Sequence, residues 1–401
     1  MERLYKNIIQ SHFAENRQMA IVSGPRQVGK TTLAQTIRGN ADTVYFNWDD
    51  FDDRELLLQG GQSIASYIGL EKLRSDKVLV IFDEIHKFSK WKQLVKGFYD
   101  RYKDSCHILI TGSARMDTFK KGGDSLMGRY FNYRLHPLSV NELLNRPPPS
   151  AEIMSPGQIA DADFENLLTW GGFPEPFLKN DRRFFNRWSR LREQQLLRED
   201  IRELTNVQGL GQMEILAILL RSQIGQLTSY TSLAKKVRVS VDTVRRWISI
   251  LESLYYCYSI RPWTSNVSRS LLKEPKYYLW DWAQCTDPGS RNENFIASHL
   301  LKAVHFWTDL GLGSYDLHFL RDKERREVDF LVSRDKKPWF MVEVKSSMND
   351  RISPHLEVFR KQLSIENTFQ VTINGDFVDK DVFQIKQPMI VPAKTFLSQL
   401  P

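Results

Sequence analysis

The sequence has no stretch of about 18 consecutive apolar residues, so it offers no helix that could cross a bilayer. Its opening, MERLYKNIIQ, has no apolar core of the kind a secretion signal needs. Cysteine is scarce: Cys106, Cys257 and Cys285 are the only three in 401 residues, and they share no metal-binding or redox spacing. That argues against a disulfide scaffold or a thiolate zinc site and fits interior thiols in a reducing compartment. Disorder is not expected, because 41% hydrophobic and 26% charged residues suffice for packed cores. A soluble cytoplasmic chain with no membrane partner is the expectation, with room for two to four domains at roughly 100–200 residues each.

What is present begins with charge. A net charge of +8 permits a polyanionic partner. The positive charge gathers in two clusters, Lys235, Lys236, Arg238, Arg245 and Arg246 in mid-chain and Arg321, Lys323, Arg325 and Arg326 further on. A charge run is ordinarily a solvated face, so context decides what each cluster does.

Residues 24–31 read GPRQVGKT and follow the apolar run Met19-Ala20-Ile21-Val22, between a short buried strand and a helix beginning near Thr31. A loop that curls closely round a polyanion needs glycines, which leave space for backbone N–H groups to point inward at phosphates. The cradle is assigned to Gly24, Pro25, Arg26, Gln27, Val28, Gly29, Lys30, Thr31 and Thr32. Lys30 supplies a point charge on the β- and γ-phosphates of ATP, and Thr31 a hydroxyl for Mg²⁺. A second motif, Val78-Leu79-Val80-Ile81-Phe82-Asp83-Glu84, is an unbroken apolar strand ending in two acids at a carboxyl edge, where ligands of parallel sheets bind. Asp83 is expected in the Mg²⁺ shell, and Glu84 is expected to polarise the attacking water. A third strand, 107–112, ends in Thr111 and leads to Ser113. Either hydroxyl could meet the γ-phosphate or the lytic water, or simply cap the following turn.

Strands near 19–23, 44–47, 78–83 and 107–112 alternate with helices, which predicts a doubly wound parallel α/β sheet over 1–145. No aromatic-rich loop lies between the first two strands, which disfavours a motor translocating on DNA. The segment Arg146-Pro147-Pro148-Pro149-Ser150 reads as a rigid break, followed by a boundary or surface excursion to about Asp161. Residues 146–208 are read as a helical lid broken by Gly171-Gly172-Phe173-Pro174. Over 209–282 come three helices and a strand, the layout of a winged helix-turn-helix, with Ser240 capping the third helix. Lys235, Lys236, Thr243, Arg245 and Arg246 are the candidate DNA contacts, although such modules also dock proteins. Trp247, Ile250 and Leu251 fall at core spacing.

Residues 283–401 carry a different chemistry. Glu293 lies in an amphipathic helix, and Glu327–Val332 leads by a turn at Asp335–Pro338 into the strand Trp339–Lys345. Alternation puts Glu343 and Lys345 on one face of their strand, with Asp329 in reach from its neighbour. A helix Glu, a strand Asp and a Glu-x-Lys pair suit a metal-dependent phosphodiester nuclease: Glu293, Asp329 and Glu343 as Mg²⁺ ligands, Glu343 and Lys345 as catalytic groups. The other reading is an amphipathic hairpin with charges on its wet face.

Together GPRQVGKTTL at 24–33, VLVIFDEIHKF at 78–88, ILITGSAR at 108–115, GRYFNYRLHPLSVNEL at 128–143, GGFPEP at 171–176, REVDFLV at 326–332 and MVEVKSS at 341–347 resemble a family of prokaryotic AAA-type ATPases. Those carry a winged helix and a C-terminal restriction-endonuclease-like domain of uncharacterised function. The resemblance implies ATP hydrolysis and nucleic-acid association, and it makes Arg129 a candidate arginine finger or sensor, a plain surface arginine being the alternative. The expected function is a Mg²⁺-dependent ATPase that binds DNA and uses nucleotide state to position the nuclease-like domain. The alternative is a nucleotide-switched scaffold with an idle C-terminal domain that docks a protein partner, and a homo-oligomer is open under both.

Overall fold

Five strands form the first sheet: β1 (Met19–Ser23), β2 (Thr43–Asn47), β3 (Val78–Asp83), β4 (Cys106–Gly112) and β5 (Tyr130–Arg134). All are parallel, in the order β2-β3-β4-β1-β5. β1 and β3 are buried at every position, as strands covered on both faces must be. In the core Phe46 stacks on Phe82, with ring centroids 5.7 Å apart, and Phe82 meets Phe98 edge to face at 5.8 Å. The register sets Asn47 beside Asp83, Asp83 beside Thr111 and Ser23 beside Gly112, so the polar strand ends share one edge. β5 has no counterpart among the strands expected from the sequence.

The computed structural model describes residues 2–37, 42–72, 76–112, 126–144, 146–147, 151–204, 209–264, 273–347 and 351–401. They divide into two compact units, Glu2–His136 and Pro137–Pro401. The first contains the five-stranded sheet.

The second unit opens with helices Val140–Leu143, Asp161–Trp170, Pro174–Lys179 and Arg182–Gln194, the last continuing through a π-helical turn, Gln195–Asp200. The break at Gly171-Gly172 has a steric cause: a Cβ on Gly172 would stand 2.7 Å from the Leu138 carbonyl oxygen and 2.6 Å from the Trp282 ring. The segment after the prolines is tied down rather than a loose excursion. Arg146 donates to the Ser155 and Pro156 carbonyls, Met154 N–H to Gln399 and the Trp307 indole to Glu152.

Helices Leu210–Arg221, Tyr230–Val237 and Val241–Ser253 come next in the chain, then the antiparallel pair β6 (Cys257–Pro262) and β7 (Lys276–Leu279). The long helix Pro288–Asp309 precedes β8 (Tyr315–Arg321), β9 (Glu327–Arg334), β10 (Lys337–Ser347), β11 (Asn367–Asn374) and β12 (Met389–Pro392). One seven-stranded sheet, ordered β12-β11-β10-β9-β8-β6-β7, holds all of these strands. β6 joins β8 in parallel at Arg261 and Pro262, so the sheet runs straight through the boundary expected at 282/283. The side-chain amide of Asn294, on the long helix, completes the edge of β7 by bonding both the N–H and the carbonyl of Leu279, at 2.7 and 2.8 Å.

Candidate functional site

The loop from β1 to the helix Lys30–Thr36 is shaped by unusual backbone. Gly24 has φ +157°, and a Cβ there would stand 2.3 Å from the Leu135 carbonyl oxygen. Gln27 and Gly29 lie at φ 63° and 99° in the left-handed region. Arg3, which no sequence motif singles out, holds the loop from outside by donating to the carbonyls of Val28 (2.6 Å) and His136 (2.5 Å). Lys30 is buried and donates to the carbonyls of Gly24 (3.1 Å) and Pro25 (2.8 Å). Burial depresses its ammonium to about 8, and the carboxylates of Glu84 and Asp83 oppose the shift. Thr31 and Thr32 are exposed at the start of the helix.

Three hydroxyls converge on Asp83. Thr31 Oγ1 donates to Oδ2 at 2.8 Å, Tyr45 Oη to the same oxygen at 2.5 Å, and Thr111 Oγ1 to Oδ1. Thr111 is therefore engaged with Asp83, a role that the sequence does not suggest; Ser113 lies outside the described residues. Sequence reasoning misses Tyr45 because its strand looks merely apolar, yet β2 is the direct neighbour of β3. Glu84 has φ 54°. Burial raises its carboxyl pKa, against the pull of Lys30 and Lys87. His86 Nε2 lies 3.7 Å from its Oε2. An all-oxygen pair, the Thr31 hydroxyl and the Asp83 carboxylate in mutual contact, fits a hard divalent cation such as Mg²⁺.

Arg129 is not brought to this loop within its own chain. It precedes β5, whose Tyr130 is in register with Met19, so it lies at the amino edge of the sheet, four strand residues or roughly 13 Å from the edge the loop leaves. There it makes a two-pronged ion pair with Asp100, at 2.8 and 3.0 Å.

Most of the expected DNA contacts are exposed. Lys235, Lys236, Arg245 and Arg246 are exposed on the adjoining helices Tyr230–Val237 and Val241–Ser253, and Thr243 is half-buried. Ser240 accepts from Thr243 N–H (3.1 Å) as the cap, while Trp247 and Leu251 are buried and Ile250 partly so. Two members of the second basic cluster are paired with acids: Arg321 with Glu327, and Arg326 with Asp322 and Glu324.

On the C-terminal sheet, the ladder of β9 and β10 ends at Phe330 and Val342. Beyond it the Asp329 carboxylate takes the place of a backbone acceptor and receives Val344 N–H at 2.8 Å. Lys345 Nζ donates to Glu343 Oε1 at 3.0 Å, and Glu343 Oε2 is buried with no hydrogen-bond partner. Glu293 receives the Tyr278 hydroxyl at 2.7 Å. Burial, then the Asp329 charge, pushes both Glu293 and Glu343 up to about 7; burial raises Asp329 too. Lys276, unforeseen from the sequence, stands between Glu327 (2.6 Å) and Glu293 (3.5 Å). Among the described residues, no group of three His, Cys, Asp or Glu side chains is arranged to hold a metal ion.

Cys106, Cys257 and Cys285 are free and buried. Among the described residues no helix is long and apolar enough to cross a membrane.

Residues 16–144 match the family described as an AAA domain; 161–285 and 288–391 match two domains of unknown function, DUF8612 and DUF4143. An uncharacterized protein of Haemophilus influenzae is 22% identical over 346 residues, 80% of this chain and 83% of that one. One from Mycobacterium tuberculosis is 23% identical over 263 residues, 66% of this chain but 54% of the relative, so the chain spans little more than half of it. Among solved structures, a Signal Transduction ATPase with Numerous Domains protein from Pyrococcus horikoshii aligns over 77% of this chain and 45% of its own, with 13% identity and a TM-score of 0.25. A RuvB variant from Thermotoga maritima aligns over 64% and 86%, with 16% identity and a TM-score of 0.26. These structural likenesses are too slight to bear on function. The family match and the parallel sheet with its phosphate loop agree that the chain carries an AAA-type, ATPase-like domain.

Proposed function

We propose that the chain is a Mg²⁺-dependent ATPase that binds DNA through a winged helix-turn-helix and uses its nucleotide state to position the C-terminal domain. The observation that carries the ATPase reading is the Thr31–Asp83 contact beside Lys30 and Glu84. Thr31 and Asp83 would hold Mg²⁺, which neutralises charge on the transferring phosphoryl group. Lys30 would leave the carbonyls of Gly24 and Pro25 for the phosphates, and Glu84 would orient water. Support for DNA is the exposure of Lys235, Lys236, Arg245 and Arg246 on two consecutive helices, the arginines in the first turns of the Ser240-capped one, where such modules meet phosphates and bases. Arg129, at the amino edge of the sheet, suits a finger offered to a neighbouring subunit better than a sensor for its own site.

The second reading is a nucleotide-switched scaffold with an idle C-terminal domain that docks protein. Lys276 among the carboxylates favours it. The test is ATP hydrolysis in Mg²⁺ with and without duplex DNA, comparing the wild type with Lys30→Ala. Hydrolysis abolished in the variant and stimulated by DNA in the wild type is expected; hydrolysis indifferent to Lys30→Ala would refute the site, and indifference to DNA with no binding would move the reading to the scaffold.

A further inference from the structure

We propose that Lys276 is the resident cation of the cluster formed by Glu293, Asp329 and Glu343, and that it excludes a divalent metal from that cluster while it is seated. The inference concerns the second unit alone and stands whether or not the chain hydrolyses ATP.

Lys276 comes from β7, the hairpin strand that comes after the three helices, and its side chain is 3% exposed. Its Nζ lies 2.6 Å from Glu327 Oε1 and 3.5 Å from Glu293 Oε1. The backbone beneath it is held from both sides: Lys276 is in register with Ile260 on β6 and forms a bridge to Leu227, and Thr228 N–H donates to the Pro275 carbonyl at 2.9 Å. The backbone that carries the ammonium is thus fixed in the sheet.

The carboxylates, in turn, are directed at internal partners. Glu293 is fixed by Lys276 and the Tyr278 hydroxyl, and it packs against Gly225, where an added Cβ would stand 2.7 Å from its carboxylate. Asp329 is turned to Val344 N–H, and Glu343 to Lys345. A hard divalent ion needs several oxygens at about 2.0–2.6 Å from one point, and, turned to these separate partners, Glu293, Asp329 and Glu343 are not grouped to supply them. The engaged oxygens are Glu293 Oε1, Asp329 Oδ2 and Glu343 Oε1, while Glu343 Oε2 is buried without a partner. Removing the Lys276 charge would leave buried acids short of a cation and free Glu293 to turn toward that oxygen, the condition under which a metal binds. A lysine thus does the charge-balancing work of a metal, and it does so from the hairpin attached to the basic helices.

The experiment is Mn²⁺ binding to the full-length protein without nucleotide, monitored by the resonance of free Mn²⁺. The cluster's own site is identified as one that Glu343→Ala removes. No such site is expected in the wild type. Lys276→Met should gain one, at least about tenfold tighter than any wild-type binding at the cluster, and Lys276→Met combined with Glu343→Ala should lose it again. A wild-type site sensitive to Glu343→Ala, or a folded Lys276→Met protein without one, overturns the proposal. Should Lys276→Met be too unstable to titrate, its melting temperature is expected to rise more with millimolar Mg²⁺ than that of the wild type; equal responses overturn it.

Discussion

Glu84 is the residue at which backbone and chemistry meet most directly. A non-glycine residue at φ 54° costs about 1–3 kcal/mol and persists only where its surroundings enforce it. Here the strained turn directly succeeds Asp83, at the strand end where Lys30 and Thr31 gather. Glu84→Gln keeps the shape and removes the charge. It should still bind ATP while single-turnover hydrolysis falls at least about a hundredfold; unchanged turnover would assign the base elsewhere. A second residue-scale effect comes from His299. Its Nδ1–H donates to the Phe295 carbonyl (2.8 Å) and its Nε2 accepts Val140 N–H (3.2 Å), so the folded ring is neutral. Burial holds its pKa down to about 3, below the unfolded value of about 6.5. The unfolded chain therefore takes up a proton that the folded one refuses. The associated stability is complete above about pH 6.5 and is lost on acidification toward pH 3, by up to about 1.4 kcal/mol per pH unit. Urea melts between pH 7 and 5 should show a slope that His299→Gln lowers by up to one proton; an equal slope would exclude His299 as a source. Lys30 and Thr31 are legible in sequence because a phosphate loop constrains neighbours along the chain, and Asp83 because an unbroken apolar strand ends in it. Tyr45, Arg3 and Lys276 are not, because strand pairing and chain crossing bring them in from afar.

At the scale of elements, the helix Val241–Ser253 sets out its basic side chains by its cap. Ser240 accepts from Thr243 N–H, Arg245 lies 3.7 Å from Asp242 and over the Tyr230 ring, and both arginines stay exposed. Exposed arginines facing phosphate act chiefly by releasing counterions, so replacing Arg245 and Arg246 together should weaken DNA binding and reduce the salt slope by about two contacts. An unchanged slope in a binding titration would put the interface on another face. The helices here are legible because apolar spacing, a serine cap and a polar turn all agree locally. β5 is not: Tyr130-Phe131-Asn132-Tyr133-Arg134 is an edge strand with two exposed aromatics, and only its pairing with β1 makes it part of the sheet. Turn chemistry in the sequence points to 335–338 between β9 and β10, and the turn proves tighter, with only Asp335 and Lys336 linking the strands at φ 50° and 65°. Two positive angles match the right-handed twist of a hairpin, and neither residue is the glycine that would announce them.

At the scale of the molecule, the second unit resists division where composition suggests a boundary. The seven-stranded sheet crosses 282/283, and the long helix Pro288–Asp309 is bound to the segments before it as well as to the strands after it. Asn294 bonds β7, the Trp282 indole donates to the Leu167 carbonyl at 2.9 Å, and the Phe164 and Phe295 rings meet at 5.6 Å. The buried Lys302 pairs with the buried Glu142 and donates to the Pro137 carbonyl at 3.2 Å. A fragment covering 283–401 would keep Lys302 and lose Glu142, exposing one face of the long helix and leaving β8 without β6. Losing one partner of a buried ion pair alone costs about 3–5 kcal/mol, a large part of the roughly 5–15 kcal/mol that holds a domain together. The fragment 137–401 keeps every one of these contacts. It is expected to unfold in a single cooperative transition by circular dichroism, whereas 283–401 should show no cooperative melt. A sharp transition in the shorter fragment would mean that the long helix and β8 are sustained by their C-terminal contacts alone, and that the sheet's passage into β6 and β7 adds nothing essential to its stability.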